Sequence, residues 1–98
     1  MRAKRTDANL TPIIEAFRKL GCSVDVTNDL WDLTVGLGGQ TILIEVKDGS
    51  KPPSARKLTK RARLFAMNWK GGYKVVENLD GVTETVALLR DMSRRLRV

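Results

Sequence analysis

Between Gln40 and Lys47 the chain alternates strictly: Ile42, Ile44 and Val46 fall between Thr41, Leu43, Glu45 and Lys47. A period of two sends the first three side chains to one face of a β-strand and the other four to the opposite face. Both ends of this strand are marked. Gly36, Gly38 and Gly39 precede it and permit a hairpin connection. Asp48-Gly49 and Pro52-Pro53 follow it; they favour a loop, because proline has no backbone donor for a central ladder. A strand with so apolar a face needs a covering layer, and the rest of the chain supplies one.

Ile13, Ile14, Phe17 and Leu20 recur at helical spacing, so the first helix is expected from about Thr11 or somewhat earlier, with Thr11-Pro12 as a reasonable cap and first turn, to Leu20, before Gly21. Ser23 to Thr27 and Trp31 to Val35 read as strands, separated by a turn at Asn28-Asp29. After the Asp48–Ser54 loop, Leu58, Ala62, Phe65 and Trp69 predict a second helix capped by Ser54 or Thr59 and ended by Gly71-Gly72. Tyr73 to Val76 forms a fourth strand. Asp80 opens a last helix whose apolar stripe is Val82, Val86, Leu89 and Met92. The connection from the third strand to the fourth exceeds the dozen or so residues that a parallel crossover needs. The expected fold is therefore α/β, in the order αβββαβα. Its mixed four-stranded sheet combines an antiparallel meander with one parallel strand, flanked by helices.

With 98 residues, of which 42% are apolar and 30% charged in both signs, the chain suits one folded domain spanning 1–98. It has no histidine, which excludes Ser-His-Asp triads, His-based acid–base catalysis and His-bearing zinc sites. Its lone Cys22 has no partner for an intrachain disulfide and reads as a small buried apolar residue. There is no apolar leader pattern or spanning run, so a cytoplasmic protein with no membrane partner is expected.

The formal charge of +7 is unevenly distributed. Met1 to Thr6 is basic and expected to be loose. From Gly49 to Val76 no acid occurs, while Lys51, Arg56, Lys57, Lys60, Arg61, Arg63, Lys70 and Lys74 all do. Such a stretch repels itself unless it is solvated or laid along phosphates, where released counterions give salt-sensitive affinity. The terminal Arg90, Arg94, Arg95 and Arg97 also suit a helix C-terminus and are read as mainly structural.

Glu45 and Lys47, two apart on one strand, project together. Asp32 lies on the preceding strand and comes beside Glu45 if it shares that face. Two converging carboxylates without histidine suit a hard divalent cation, Mg²⁺ or Mn²⁺, to which the Val46 carbonyl could add an oxygen. Lys47 would then stand where it can orient or help deprotonate a nucleophilic water and offset charge on a phosphate in transition. Taken alone, the same three residues also describe a surface salt bridge of little energetic worth.

The arrangement of Asp32 followed thirteen positions later by Glu45-x-Lys47, on a hairpin behind one helix and ahead of a basic one, resembles the PD-(D/E)XK nuclease superfamily. Within it, the segments Asp7-Ala8-Asn9, Leu20–Val24, Ile44–Thr59 and Trp69-Lys70-Gly71 are similar to the small phage-type VRR-NUC proteins, relatives of Holliday-junction resolvases. That resemblance covers roughly Thr6 to Val86. It implies a restriction-endonuclease-like core and metal-dependent hydrolysis of DNA phosphodiesters. Asp32 and Glu45 would be metal ligands and Lys47 the catalytic lysine. Where relatives carry a proline before the first acid this chain has Trp31, and where they often carry a first-helix glutamate it has Pro12; Asp7 and Glu15 are the nearby acids.

Lys51, Arg56, Lys57, Lys60, Arg61 and Arg63 are the expected phosphate contacts. Trp31 and Trp69 could stack on bases, although core or rim packing is the first expectation; Phe65 and Tyr73 are assigned to the core. The expected activity is structure-specific cleavage of branched or duplex DNA by a homodimer, with no organic cofactor. Two alternatives stand beside it: a non-cleaving nucleic-acid-binding module that keeps the nuclease fold, and an RNA nuclease of the same fold, since no reader of a 2′-hydroxyl is apparent.

Overall fold

In the computed structural model, which describes residues 9–27 and 29–96, the alternating segment becomes the central strand β3 (Gln40–Val46). Around it, in chain order, are α1 (Leu10–Lys19), β1 (Ser23–Val26), β2 (Leu33–Leu37), α2 (Lys60–Asn68), β4 (Gly72–Val76) and α3 (Leu79–Arg95), and a single 3-10 turn at Pro53–Arg56 follows β3. The sheet order is β1-β2-β3-β4, with antiparallel pairs from β1 to β3 and a parallel pair between β3 and β4. The expected α/β fold with a mixed, helix-flanked sheet is what forms. Among the described residues no helix is long and apolar enough to cross a membrane.

Gly38 and Gly39 have φ of 60° and 81°, the pair of positive values that a two-residue hairpin turn requires at both central positions. A side chain at Gly38 would also come within 2.7 Å of Ser93 Oγ, which closes the hairpin onto α3. Leu33, Val35, Ile42, Ile44, Val46 and Val76 build the sheet side of the core, against Leu10, Ile13 and Phe17 of α1 and Val82, Val86 and Leu89 of α3. Cys22 is buried with them. Its thiol is pushed up by burial, against a weaker downward pull from Arg90.

Several boundaries differ from expectation. The second strand starts at Leu33 and runs to Leu37, leaving Trp31 and Asp32 in the bend before it. The first helix starts at Leu10 after Asn9, so Thr11 lies inside it and is not its cap. Thr59 rather than Ser54 caps α2 by accepting from the Ala62 N–H, so Leu58 lies outside the helix and Ser54 in the 3-10 turn. Asn78 caps α3 one residue before its start at Leu79. Met92 is exposed, whereas Thr85 and Ser93 are buried in its stead. Their hydroxyls are satisfied by the Gly81 and Gly38 carbonyls, which removes the cost of burying them. Phe65 and Tyr73 are half-buried outside the main core. They pack with Trp31 and Trp69 in an aromatic layer under α2, on the sheet face opposite α1 and α3. Met1–Thr6 and Asn28 lie outside the described residues.

Candidate active site

The site forms where β2 begins against β3. Leu33 pairs with Ile44, so Asp32, one step earlier, falls across from Glu45. Although it precedes the strand, Asp32 stays in the ladder: its N–H donates to the Ile44 carbonyl at 2.9 Å and its carbonyl accepts from the Thr27 N–H at 2.8 Å. Its carboxylate Oδ2 accepts from the Val46 N–H at 2.7 Å. A carboxylate anchored to strand backbone is held in one orientation.

Glu45 and Lys47 project from that same face and form an ion pair, Oε2 to Nζ 3.4 Å, with each side chain only 13% exposed. The structure thus brings Asp32, Glu45 and Lys47 together. Val46 turns its side chain into the core, at 1% exposure, and its N–H toward Asp32. On an extended strand the C=O leaves on the same side as the N–H, so the Val46 carbonyl is directed toward the acid as well.

On the other flank, β4 pairs Val75 with Glu45 and Tyr73 with Leu43, which sets Tyr73 on the site face. Its hydroxyl is buried and has no hydrogen-bond partner among the described residues. Burial above all, then the negative charge of Glu45 and then that of Asp32, push the phenol up to about 12. Tyr73 therefore stays neutral and a donor throughout the physiological range. Sequence patterning assigned it to packing, because only the strand register reveals its two acidic neighbours.

Asn9 also borders the site, and no sequence pattern singles it out. Its Nδ2 donates to the Lys47 carbonyl at 2.7 Å and to the Glu77 carbonyl at 3.0 Å, tying the start of α1 to the ends of β3 and β4. Contacts between residues so distant in sequence leave no local signal. Among the described residues no three of His, Cys, Asp and Glu cluster, and Glu15 is exposed on α1 apart from the two acids. Asp7 lies outside the described residues. The oxygens the site offers, the carboxylates of Asp32 and Glu45 and the Val46 carbonyl, are hard donors of the kind that Mg²⁺ or Mn²⁺ takes.

Lys51, Lys57, Lys60, Arg61 and Arg63 are exposed. Arg56 differs: it is half-buried, and its Nη1 donates to Glu77 Oε2 at 2.9 Å. Phe65 stacks on Trp31 and on Trp69, at ring separations of 5.3 and 5.5 Å. Both tryptophans thus pack at the rim, with Trp69 still 44% exposed.

No family model, curated protein or solved structure matches the chain.

Proposed function

We propose that this chain is a Mg²⁺- or Mn²⁺-dependent endodeoxyribonuclease of the PD-(D/E)XK kind, hydrolysing phosphodiesters in branched DNA such as four-way junctions or flaps. The observation that carries the reading is the cross-strand placement of Asp32 beside the Glu45–Lys47 pair, with the Asp32 carboxylate bonded to the backbone between them. The carboxylates of Asp32 and Glu45 and the Val46 carbonyl would hold the cation. When bound, the ion supplies an activated water and draws charge from the phosphoryl oxygens. Lys47, steadied by Glu45, would orient the attacking water and offset the charge that builds on the phosphate. The bond to the 3′ oxygen breaks, leaving a 3′-hydroxyl and a 5′-phosphate. Exposed Lys51, Lys57, Lys60, Arg61 and Arg63 supply phosphate contacts around the cut. Cutting a junction symmetrically takes two such sites, hence a homodimer.

The test is cleavage of four-way junction, flap, duplex and single-stranded DNA in Mg²⁺, in Mn²⁺ and in EDTA. Metal-dependent cutting with preference for branched substrates is expected; activity indifferent to EDTA would exclude the mechanism. A second reading, a binding module that keeps the fold without cleaving, is favoured by the want of a third acid among the described residues. It is recognised by a steep salt dependence of DNA binding with no turnover in any metal.

A further inference from the structure

A shallow groove of about 360 Å³ opens beside the site face, lined by Leu30, Arg61, Leu64, Phe65, Asn68 and Trp69. Its floor is preorganised. Phe65 stacks between Trp31 and Trp69 with interplanar angles of 18° and 21°. The Trp69 Nε1–H donates to the Gly72 carbonyl at 3.2 Å. The indole also lies so close over Gly71 that any side chain there would meet it at 2.8 Å. Trp69 nonetheless remains 44% and Leu64 49% exposed. At one end of the aromatic row, Trp31 is the neighbour of Asp32, and its indole donates to Thr34 at 3.0 Å. The surrounding segment, Gly49 to Val76, carries no acid, and Lys60, Arg61 and Arg63 are exposed on α2.

Aromatic surface beside the cationic, acid-free α2, with Arg61 in the groove lining itself, matches one partner chemistry, a single nucleic-acid strand, whose bases take the apolar surface while its phosphates meet the cations. The basic Met1–Thr6 segment and a second copy of this +7 chain lack that complementarity of charge. We infer that this groove receives an unpaired nucleotide of the DNA substrate, so that the protein recognises single-stranded character next to the scissile duplex. This inference rests on the proposed nuclease reading for its substrate, but it makes a claim about binding that cleavage does not decide.

The experiment is fluorescence anisotropy on the full chain, without metal so that no cutting occurs, comparing a blunt duplex with the same duplex bearing a single-stranded tail. The tail should strengthen binding to the native protein. Trp69→Ala should weaken the tailed duplex by roughly five- to a hundred-fold, the range that one base–aromatic contact supplies, and the blunt duplex by less than about twofold. Trp69→Phe should restore most of the loss. Should Trp69→Ala not fold, Leu64→Glu, at an exposed helix position, introduces a carboxylate into the groove and should cost the tailed duplex more than the blunt one. Equal losses on both ligands, or none on either, would overturn the groove even if metal-dependent cleavage is observed. A tail preference that depends on Trp69 or Leu64 would sustain it even if no cleavage is ever found.

Discussion

The backbone N–H of Val46 donates to the carboxylate of Asp32 at 2.7 Å, fixing an acid from the bend before β2 against the strand that carries Glu45 and Lys47. This one bond gives Asp32 two separable roles. A neutral carboxamide in its place would keep the acceptor but lose the charge; a methyl group would lose both and leave the Val46 N–H unsatisfied. Asp32→Asn is therefore expected to melt close to the native protein while losing metal-dependent cleavage. Asp32→Ala should lose cleavage and also about 1–3 kcal/mol of stability. Thermal melts beside a cleavage assay separate the two, and full activity in Asp32→Asn would remove Asp32 from the ligand set.

Glu45 and Lys47 form a pair that is only 13% exposed on each side, at 3.4 Å. Glu45→Gln removes an anion that would hold the cation, and Lys47→Ala removes the ammonium that, in the proposed mechanism, would stand beside the attacking water. Each is expected to reduce cleavage by roughly a hundredfold or more, the scale of lost electrostatic stabilisation in an active site. DNA affinity should stay within a few-fold, because the exposed cations of the loop and α2 are untouched. Cleavage at the native rate by either variant would show that the roles are wrongly assigned.

Tyr73 is the chain's single tyrosine, so its ionisation can be followed directly by absorbance. Its phenol is held up at about 12 by burial, then Glu45, then Asp32, against an ordinary value of 10.0. The folded-state value lies above the unfolded one, so this contribution to stability is complete below about pH 10 and is lost as pH rises toward about 12. Denaturant melts should show that loss across the same interval. Glu45→Gln should bring the titration downward; a phenol that titrates at about 10 in the native protein would mean that it is not buried beside the two acids.

What the sequence disclosed and what it hid divide along the range of the contacts. Alternation at Ile42, Ile44 and Val46, the glycine pair at the hairpin and the long connection to Tyr73 are local or topological, and together they sufficed for the strand order and the parallel pairing. The neighbourhood of Asp32 and Glu45 followed once the hairpin was fixed. Harder were the places where side chains reach across the fold. Trp31 turns its indole to Thr34 while its carbonyl accepts from the Thr27 hydroxyl, so the second strand starts later than its β-forming residues suggest. Ser93 hides its hydroxyl on Gly38, which helical periodicity cannot foresee. Asn9 and Tyr73 matter to the site only through partners brought near by the finished sheet.

Asn9 makes a prediction with a sign. Its amide donates to two carbonyls, those of Lys47 and Glu77, and nothing else holds α1 to these strand ends among the side-chain hydrogen bonds described. Asn9→Ala should cost about 1–3 kcal/mol, a melting decrease of several degrees for a domain of this size. Asn9→Asp, nearly the same shape, should cost more at neutral pH, because a carboxylate would oppose two carbonyl oxygens. It should recover in part below about pH 4, where a protonated carboxyl can donate again. An Asp variant as stable as the native chain at neutral pH would mean that Asn9 does not donate to those carbonyls.

Arg56 and Arg63 belong to the same basic window, yet their settings set them apart. Arg63 is exposed on α2, whereas Arg56 is half-buried and bonded to Glu77 at 2.9 Å, beside the strand end that Asn9 also holds. A phosphate contact releases counterions in proportion to the charges neutralised, so losing one contact lowers the slope of log affinity against log salt by about one. Arg63→Gln is expected to lower that slope by about one with no change in melting. Arg56→Gln should leave the slope nearly intact and reduce stability instead, by at most about 1 kcal/mol given its partial exposure. DNA-binding titrations at several salt concentrations, paired with melts, distinguish these outcomes. An equal slope change in both variants would mean that Arg56 leaves Glu77 for phosphate when DNA binds.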